Sequence, residues 1–392
     1  MQKISKPFMV SSVVIIAIVA MAFVPYNNQR NKPLKSNSAL LTAQVPKIQV
    51  AILLDVSGSM DGLIAQAKAQ IWNMVNVLGK ATNNKQNPNI EIALYEYGRS
   101  TNNPKAGYVQ QINSFISNLD SLSENLFSLT TNGGDEYCGE AIYQAIDQLK
   151  WDQQANNYKV IFIAGNEDFL QGRLQYTQAC ASAKLKGVIV NTIYCGDKQQ
   201  GIREHWNLGG ECNNGSFTNI NTNATIDDIP TPYDSIIYAY NTKLNGTYLN
   251  YGIAGASSAI KQSKMDAMNY DMSKAAGVKR IVAKGNKNVY NNTAWDLVDA
   301  LEKDDKILDK IDINTLADSL KTKSKVAIKA IIVAQTNSRS IAQKEIGALN
   351  IKREAFLAAA RKNNIKNGEK NLESEMERII KMQAKLFNYV FE

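Results

Sequence analysis

Residues 50–61, VAILLDVSGSMD, constrain this chain more than any other stretch. Five consecutive apolar or small residues, Val50 to Leu54, run into Asp55, with Ser57, Ser59 and Asp61 at the following alternate positions. An unbroken apolar run of this kind reads as a strand buried on both faces, the pattern of a parallel sheet. Leu63, Ala67, Ile71, Met74 and Leu78 then recur at helical spacing. A strand thus delivers one carboxylate and two hydroxyls to a loop that opens a helix. Ligands of open α/β sheets bind at the carboxyl ends of the strands. An oxygen-only donor set suits a hard cation, Mg2+ or else Ca2+ or Mn2+. The same residues have a purely structural use, with the hydroxyls capping the helix and Asp55 accepting backbone amides.

Downstream, strand and helix patterns alternate. Strands are expected at 48–54, 90–97, 108–112 (a short edge strand), 159–164, 187–194 and 216–220. Helical or amphipathic stretches are expected at 64–78, 116–129, 140–151, 174–185 and 229–244, the last closing the unit. This order predicts an α/β fold, a doubly wound and mostly parallel sheet covered on both faces.

On Asp55, Ser57 and Ser59 the chain resembles the von Willebrand factor A domain, a Rossmann-like fold shared with integrin inserted domains, whose metal-ion-dependent adhesion site carries an Asp-x-Ser-x-Ser motif. The resemblance covers residues 47–245. It implies a cation held by these three residues, a threonine from a second loop and an aspartate from a third. In the second loop, TTNGGDEYCG at 130–139, Gly133-Gly134 resembles the family's Gly-Gly-Ser-Thr turn. The threonine position then falls on Glu136, with Asp135 beside it and Thr130 and Thr131 earlier. In the third, KVIFIA runs into Gly165, Asn166, Glu167 and Asp168. The aspartate position falls on Gly165, so Glu167 or Asp168 would have to replace it from further along. The expected metal set is therefore Asp55, Ser57, Ser59, Asp135, Glu136 and Glu167. Direct ligation by Glu136 would neutralise the cation and weaken its pull on a partner's carboxylate; alternatively Glu136 fills the site in place of a ligand. Asp135, Glu136 and Glu140 also straddle a helix start, where carboxylates are favoured without any metal.

Residues 246–392 change character to long helical patterns. A helix is expected at 257–276, a short stripe at Trp295, Val298 and Leu301, and longer helices at 338–361 and 372–390. In the last, Leu372, Met376, Ile379, Leu386 and Val390 nearly follow a 3–4 repeat that Gln383 breaks, which fits a helical hairpin or a partner-binding coiled coil. The net charge of +8 is uneven: residues 48–245 carry 13 basic and 19 acidic side chains, whereas 246–392 carry 25 and 17. Basic residues mixed with acids and no recognition motif argue against nucleic-acid binding.

At the N-terminus Lys3 and Lys6 precede an apolar run at 7–24, with Ala20-Met21-Ala22 as a small-x-small cleavage site. Residues 1–25 read as a signal peptide or a retained membrane anchor, and 26–46 as a linker. Either reading exports the remainder, to the periplasm, to the cell surface or to a membrane-anchored position outside the cytoplasm. The cysteines, Cys138, Cys180, Cys195 and Cys212, are even in number, so disulfides are expected, with Cys195–Cys212 favoured and four buried thiols the alternative. No Gly-x-Ser-x-Gly, phosphate-loop motif or second histidine beside His205 supports an enzyme. The expectation is an exported, non-enzymatic binding module that takes a protein partner, whose acidic residue can complete the metal shell. The alternative is a structural cell-envelope scaffold with a degenerate, metal-free site.

Overall fold

The apolar run at residue 50 forms the middle of β1 (Lys47–Asp55), buried throughout after Lys47. The computed structural model describes residues 45–221, 229–363 and 372–391; residues 1–25, expected to be a signal peptide or anchor, and almost all of the expected linker lie outside them. After β1 come α1 (Asp61–Leu78), β2 (Ala81–Asn83), β3 (Asn89–Tyr97), β4 (Gln110–Ile116), α2 (Leu119–Ser128), α3 (Cys138–Gln148) and β5 (Tyr158–Gly165). Then follow α4 (Tyr176–Lys186), β6 (Ile189–Cys195), α5 (Lys198–Arg203), α6 (Trp206–Gly210) and β7 (Phe217–Ile220). Six strands form one sheet in the order β4-β3-β1-β5-β6-β7. All its pairings are parallel except that of β3 with the edge strand β4. The period-two alternation of β1 sorts the core: Ile48, Val50, Ile52 and Leu54 face α1 and α2, while Ala51 and Leu53 face α3 and α4. Asp55 ends the central strand, where chain order diverges to either side, and pairs in register with Tyr97.

The C-terminal region is helical: α7 (Asp234–Asn245), α8 (Gly255–Met272), α9 (Lys274–Lys284), α10 (Leu297–Lys303), α11 (Ile307–Lys310), α12 (Asp318–Lys321), α13 (Lys325–Asn363) and α14 (Leu372–Ala384), before a last strand β8 (Tyr389–Phe391). The helix expected at 257–276 breaks at Ser273, whose extended backbone ends α8 and whose hydroxyl accepts the Ala276 amide to start α9. The helix expected to close the α/β unit, at 229–244, does not do so. As α7 it packs on α9 and α13. The sheet face is closed by α14 instead, whose Met376, Ile379, Ile380 and Ala384 join the cluster of Ile48, Val160 and Ile193. The helix expected to run to 390 stops at Ala384; Asn388, at φ +62°, turns the chain so that β8 pairs antiparallel with β2.

Buried charges join the helical region to the α/β unit. Arg280 of α9 is fully buried, 2.8 Å from Asp120 of α2 and 2.6 Å from Asp266 of α8, with its guanidinium 4.8 Å from the Trp72 ring of α1. Lys284 reaches Asp266 at 2.6 Å, and burial pulls its ammonium down to about 8. Arg339 of α13 pairs with both Asp296 and Asp299 at 2.7 Å.

The disulfide joins Cys180 to Cys212, not Cys195 to Cys212. The reason is facing: Cys195 lies on the α1 side of the sheet, whereas Cys180 and Cys212 lie on the opposite side. Cys138 and Cys195 are free and buried. Among the described residues no helix is long and apolar enough to cross a membrane.

Candidate metal centre

Asp55 is fully buried at the end of β1. Its Oδ1 accepts the Ser57 amide at 2.7 Å, and its Oδ2 has no hydrogen-bond partner. Burial raises its carboxyl to about 6; the amides and hydroxyl of the loop oppose this, and the Glu167 charge adds to it. The Ser57 and Ser59 hydroxyls stand 3.4 Å apart. Neither caps α1, because its N-cap, Met60, has no side-chain cap bond and Asp61 supplies the first-turn carboxylate. The hydroxyls therefore stay with the Asp55 loop.

The second loop is held by backbone bonds, Asn132 N to Val56 O of the first loop at 2.8 Å and Ser100 N, from the loop after β3, to Gly133 O at 2.7 Å. These bonds bring Glu136 over Asp55. Gly98, at φ +83°, makes the approach possible: a Cβ there would lie 2.9 Å from Asp55 Oδ1 and 3.0 Å from Glu136 Cγ. Glu136 is 8 % exposed, and burial, then the charges of Asp55, Glu167 and Asp135, lift its carboxyl to about 8. The other candidates of this loop are engaged elsewhere. Asp135 is exposed and accepts from the Tyr137 hydroxyl at 3.2 Å. Arg99, clamped by Glu96, donates to the Thr130 hydroxyl and carbonyl, and the Thr131 hydroxyl donates to Asp61. Glu140 accepts the Arg173 and Leu174 amides and so anchors the loop before α4.

In the third loop, Gly165 has no room for a side chain. A Cβ there would meet the Tyr97 hydroxyl at 2.5 Å and Asp55 Oδ2 at 3.0 Å. The Tyr97 hydroxyl is fixed by donating to the Ala164 carbonyl at 2.9 Å. Asn166, absent from the expected metal set, lies with its Nδ2 3.2 Å and its Oδ1 3.4 Å from Ser59 Oγ. Its position directly after a buried strand was the available signal. Glu167 is exposed and acts on Asp55 and Glu136 through its charge. Asp168 is drawn away by His205 Nδ1 at 2.9 Å and the Leu170 amide at 3.0 Å.

The side chains gathered at this rim are thus Asp55, Ser57, Ser59, Glu136 and Asn166, with Glu167 at its edge. Among the described residues, no three His, Cys, Asp or Glu side chains form a metal-binding group. A cation here would rest on hydroxyls as much as on carboxylates.

Residues 49–230 match the family model for the von Willebrand factor type A domain. This part of the chain belongs to that family. The von Willebrand factor type A domain resembles solved structures at low identity. One is proximal thread matrix protein 1 from the mussel byssus, described with a zinc-occupied MIDAS motif: 12% identity, TM-score 0.32, covering 45% of this chain and 42% of that one. The SpRpn10 VWA domain has 14% identity and TM-score 0.33, covering 46% of this chain and 91% of that one. The pilus adhesin SpaC from Lactobacillus rhamnosus GG has 14% identity and TM-score 0.34, covering 45% of this chain and 28% of that one. The chain thus spans less than half the length of the mussel protein. No curated protein sequence matches it.

Proposed function

We propose that this von Willebrand factor type A domain is an exported binding module, without catalytic activity of its own, that holds a divalent cation at Asp55, Ser57, Ser59 and Glu136 and engages a protein partner at the carboxyl edge of the sheet. The carrying observation is the pairing of a fully buried, half-unsatisfied Asp55 with a largely buried Glu136 beside two hydroxyls. Carboxyls that resist ionisation beside one another are what a site shaped around a positive charge looks like without that charge. The donors are hard oxygens, which fits Mg2+, with Ca2+ and Mn2+ as competitors. When bound, the cation supplies a Lewis-acidic position open to an oxygen ligand of the partner. The chain's own residues do the rest: the Ser57 amide orients Asp55, Arg99 and Asn132 hold the second loop, and Gly98 lets Glu136 close in. With two carboxylates already present, an acidic residue of the partner adds less than it would at a less charged site. The Cys180–Cys212 disulfide supports residence in an oxidising compartment.

Calorimetric titration of the full chain with Mg2+, Mn2+ and Ca2+ tests the reading. Saturable binding that Asp55→Ala abolishes supports it, and partner capture should then be lost on chelation. Silence with all three ions would leave a metal-free cell-envelope scaffold as the better description.

A further inference from the structure

Resting on that metal-binding reading, we infer that Asn166 is the third-loop residue of the site: it orients the Ser59 hydroxyl toward the cation by an uncharged amide, in the place where an acidic side chain has been sterically shut out. Two observations carry this independently of each other. First, the position directly after β5 is closed. Gly165 is flanked by the Tyr97 hydroxyl and Asp55, and any Cβ would lie 2.5 Å from the former. Tyr97 is fully buried and tied to the Ala164 carbonyl, so it cannot swing aside cheaply. Second, the next residue reaches back. Both amide atoms of Asn166 stand within hydrogen-bond reach of Ser59 Oγ, across 107 positions of sequence. Among the described residues, Ser59 Oγ has bonds only to Asn166 and Ser57.

The chemical consequence is a redistribution of charge. The third-loop side chain that touches the site is a neutral amide, with Glu167 acting only through its charge, while Glu136 brings a carboxylate from the second loop. The cation keeps two negative side chains, but they come from β1 and the second loop. The amide acts through the serine: donating from Nδ2 to Ser59 Oγ leaves a hydroxyl lone pair free for the metal, and the bond fixes which way that lone pair points. Asn166 is therefore a positioning residue.

The test uses the full chain and Mn2+ or Mg2+ alone as the probe, with calorimetric affinity and the melting temperature of the metal-free protein read in parallel. Asn166→Ala should weaken Mn2+ binding ten- to a hundredfold, the range for residues that orient ligands, while leaving the metal-free melting temperature near wild type. In the Ser59→Ala background the same change should have no further effect, which a general structural role would not produce. Gly165→Asp, which restores an acid at the closed position, should lower the melting temperature and not strengthen binding. Wild-type affinity in Asn166→Ala, or additive losses in the double variant, would overturn the inference and leave the metal reading standing. Failure of the wild type to bind either ion would remove both.

Discussion

Gln383 of α14 and Asn191 of β6 hold each other by a reciprocal amide pair: Gln383 Nε2 donates to Asn191 Oδ1 at 2.7 Å, and Asn191 Nδ2 donates to Gln383 Oε1 at 3.0 Å. Both side chains are buried, and the Tyr158 hydroxyl joins them at 2.9 Å. One residue interrupts an apolar helix stripe and the other an apolar strand. Each anomaly is explained by the other, 192 positions away. Changing either alone to a leucine-like residue strands a buried amide, at about 1–3 kcal/mol. Gln383→Leu and Asn191→Leu should each lower stability by that much in urea unfolding, and the double variant should lose less than the sum. Additive losses would show that the pair is not coupled.

Arg280 carries a larger load. It faces Asp120 and Asp266 in the interior, so Arg280→Met leaves Asp120 without its compensating charge and Asp266 with Lys284 alone. Breaking a buried pair in this way costs about 3–5 kcal/mol. Equilibrium unfolding should show that loss, and the α/β unit should be destabilised along with the helices, because Arg280 also covers Trp72 of α1. A loss under 1 kcal/mol would sink the idea that this network welds the two parts.

The metal-free protein should be more stable in mild acid than in mild base. Glu136 titrates near 8 against an ordinary 4.5, and Asp55 near 6 against 3.8. A carboxyl raised in the folded state contributes stability that is complete below its unfolded value and lost as pH climbs through the folded one. With EDTA present, the melting temperature should therefore fall from about pH 4 to about pH 8, and millimolar Mg2+ should flatten the decline by favouring the ionised forms. Scanning calorimetry across pH 5 to 8.5 decides it; a flat profile with chelator contradicts the assignment.

Reduction should matter at one thiol pair only. The Cys180–Cys212 bridge closes a separation of 32 residues, for which chain-entropy reasoning gives about 3–4 kcal/mol. Cys138 and Cys195 are buried and their thiols are pushed up by burial, so both should resist alkylation in the native state. Rapid native labelling of either would contradict their placement.

The β1–loop–α1 unit was legible because two periods meet there, an unbroken apolar run and then a helical recurrence, with Asp55 at the junction. Glu136 was legible from its place after Gly133-Gly134. Asn166 was not, because attention to acids passes over an amide whose value lies in what it touches. The role of α14 was also hidden: an apolar stripe reveals that a helix packs, not on which partner. β8 is three residues long, and Leu386 and Val390 prolong the helical pattern past the end of α14 at Ala384. Cys195 could have been excluded from the bridge by counting alternate positions along β6, which set it beside Ile193 and opposite Tyr194.

The Tyr389 hydroxyl donates to the Lys47 carbonyl at 2.8 Å, so the start of β1 and the strand β8 meet at one pole of the folded body. Asp55 lies at the other end of the same strand, about 27 Å away at the rise of a β-strand. The β1 strand is therefore a strut that sets the Asp55 rim at the opposite pole from the Lys47–Tyr389 contact.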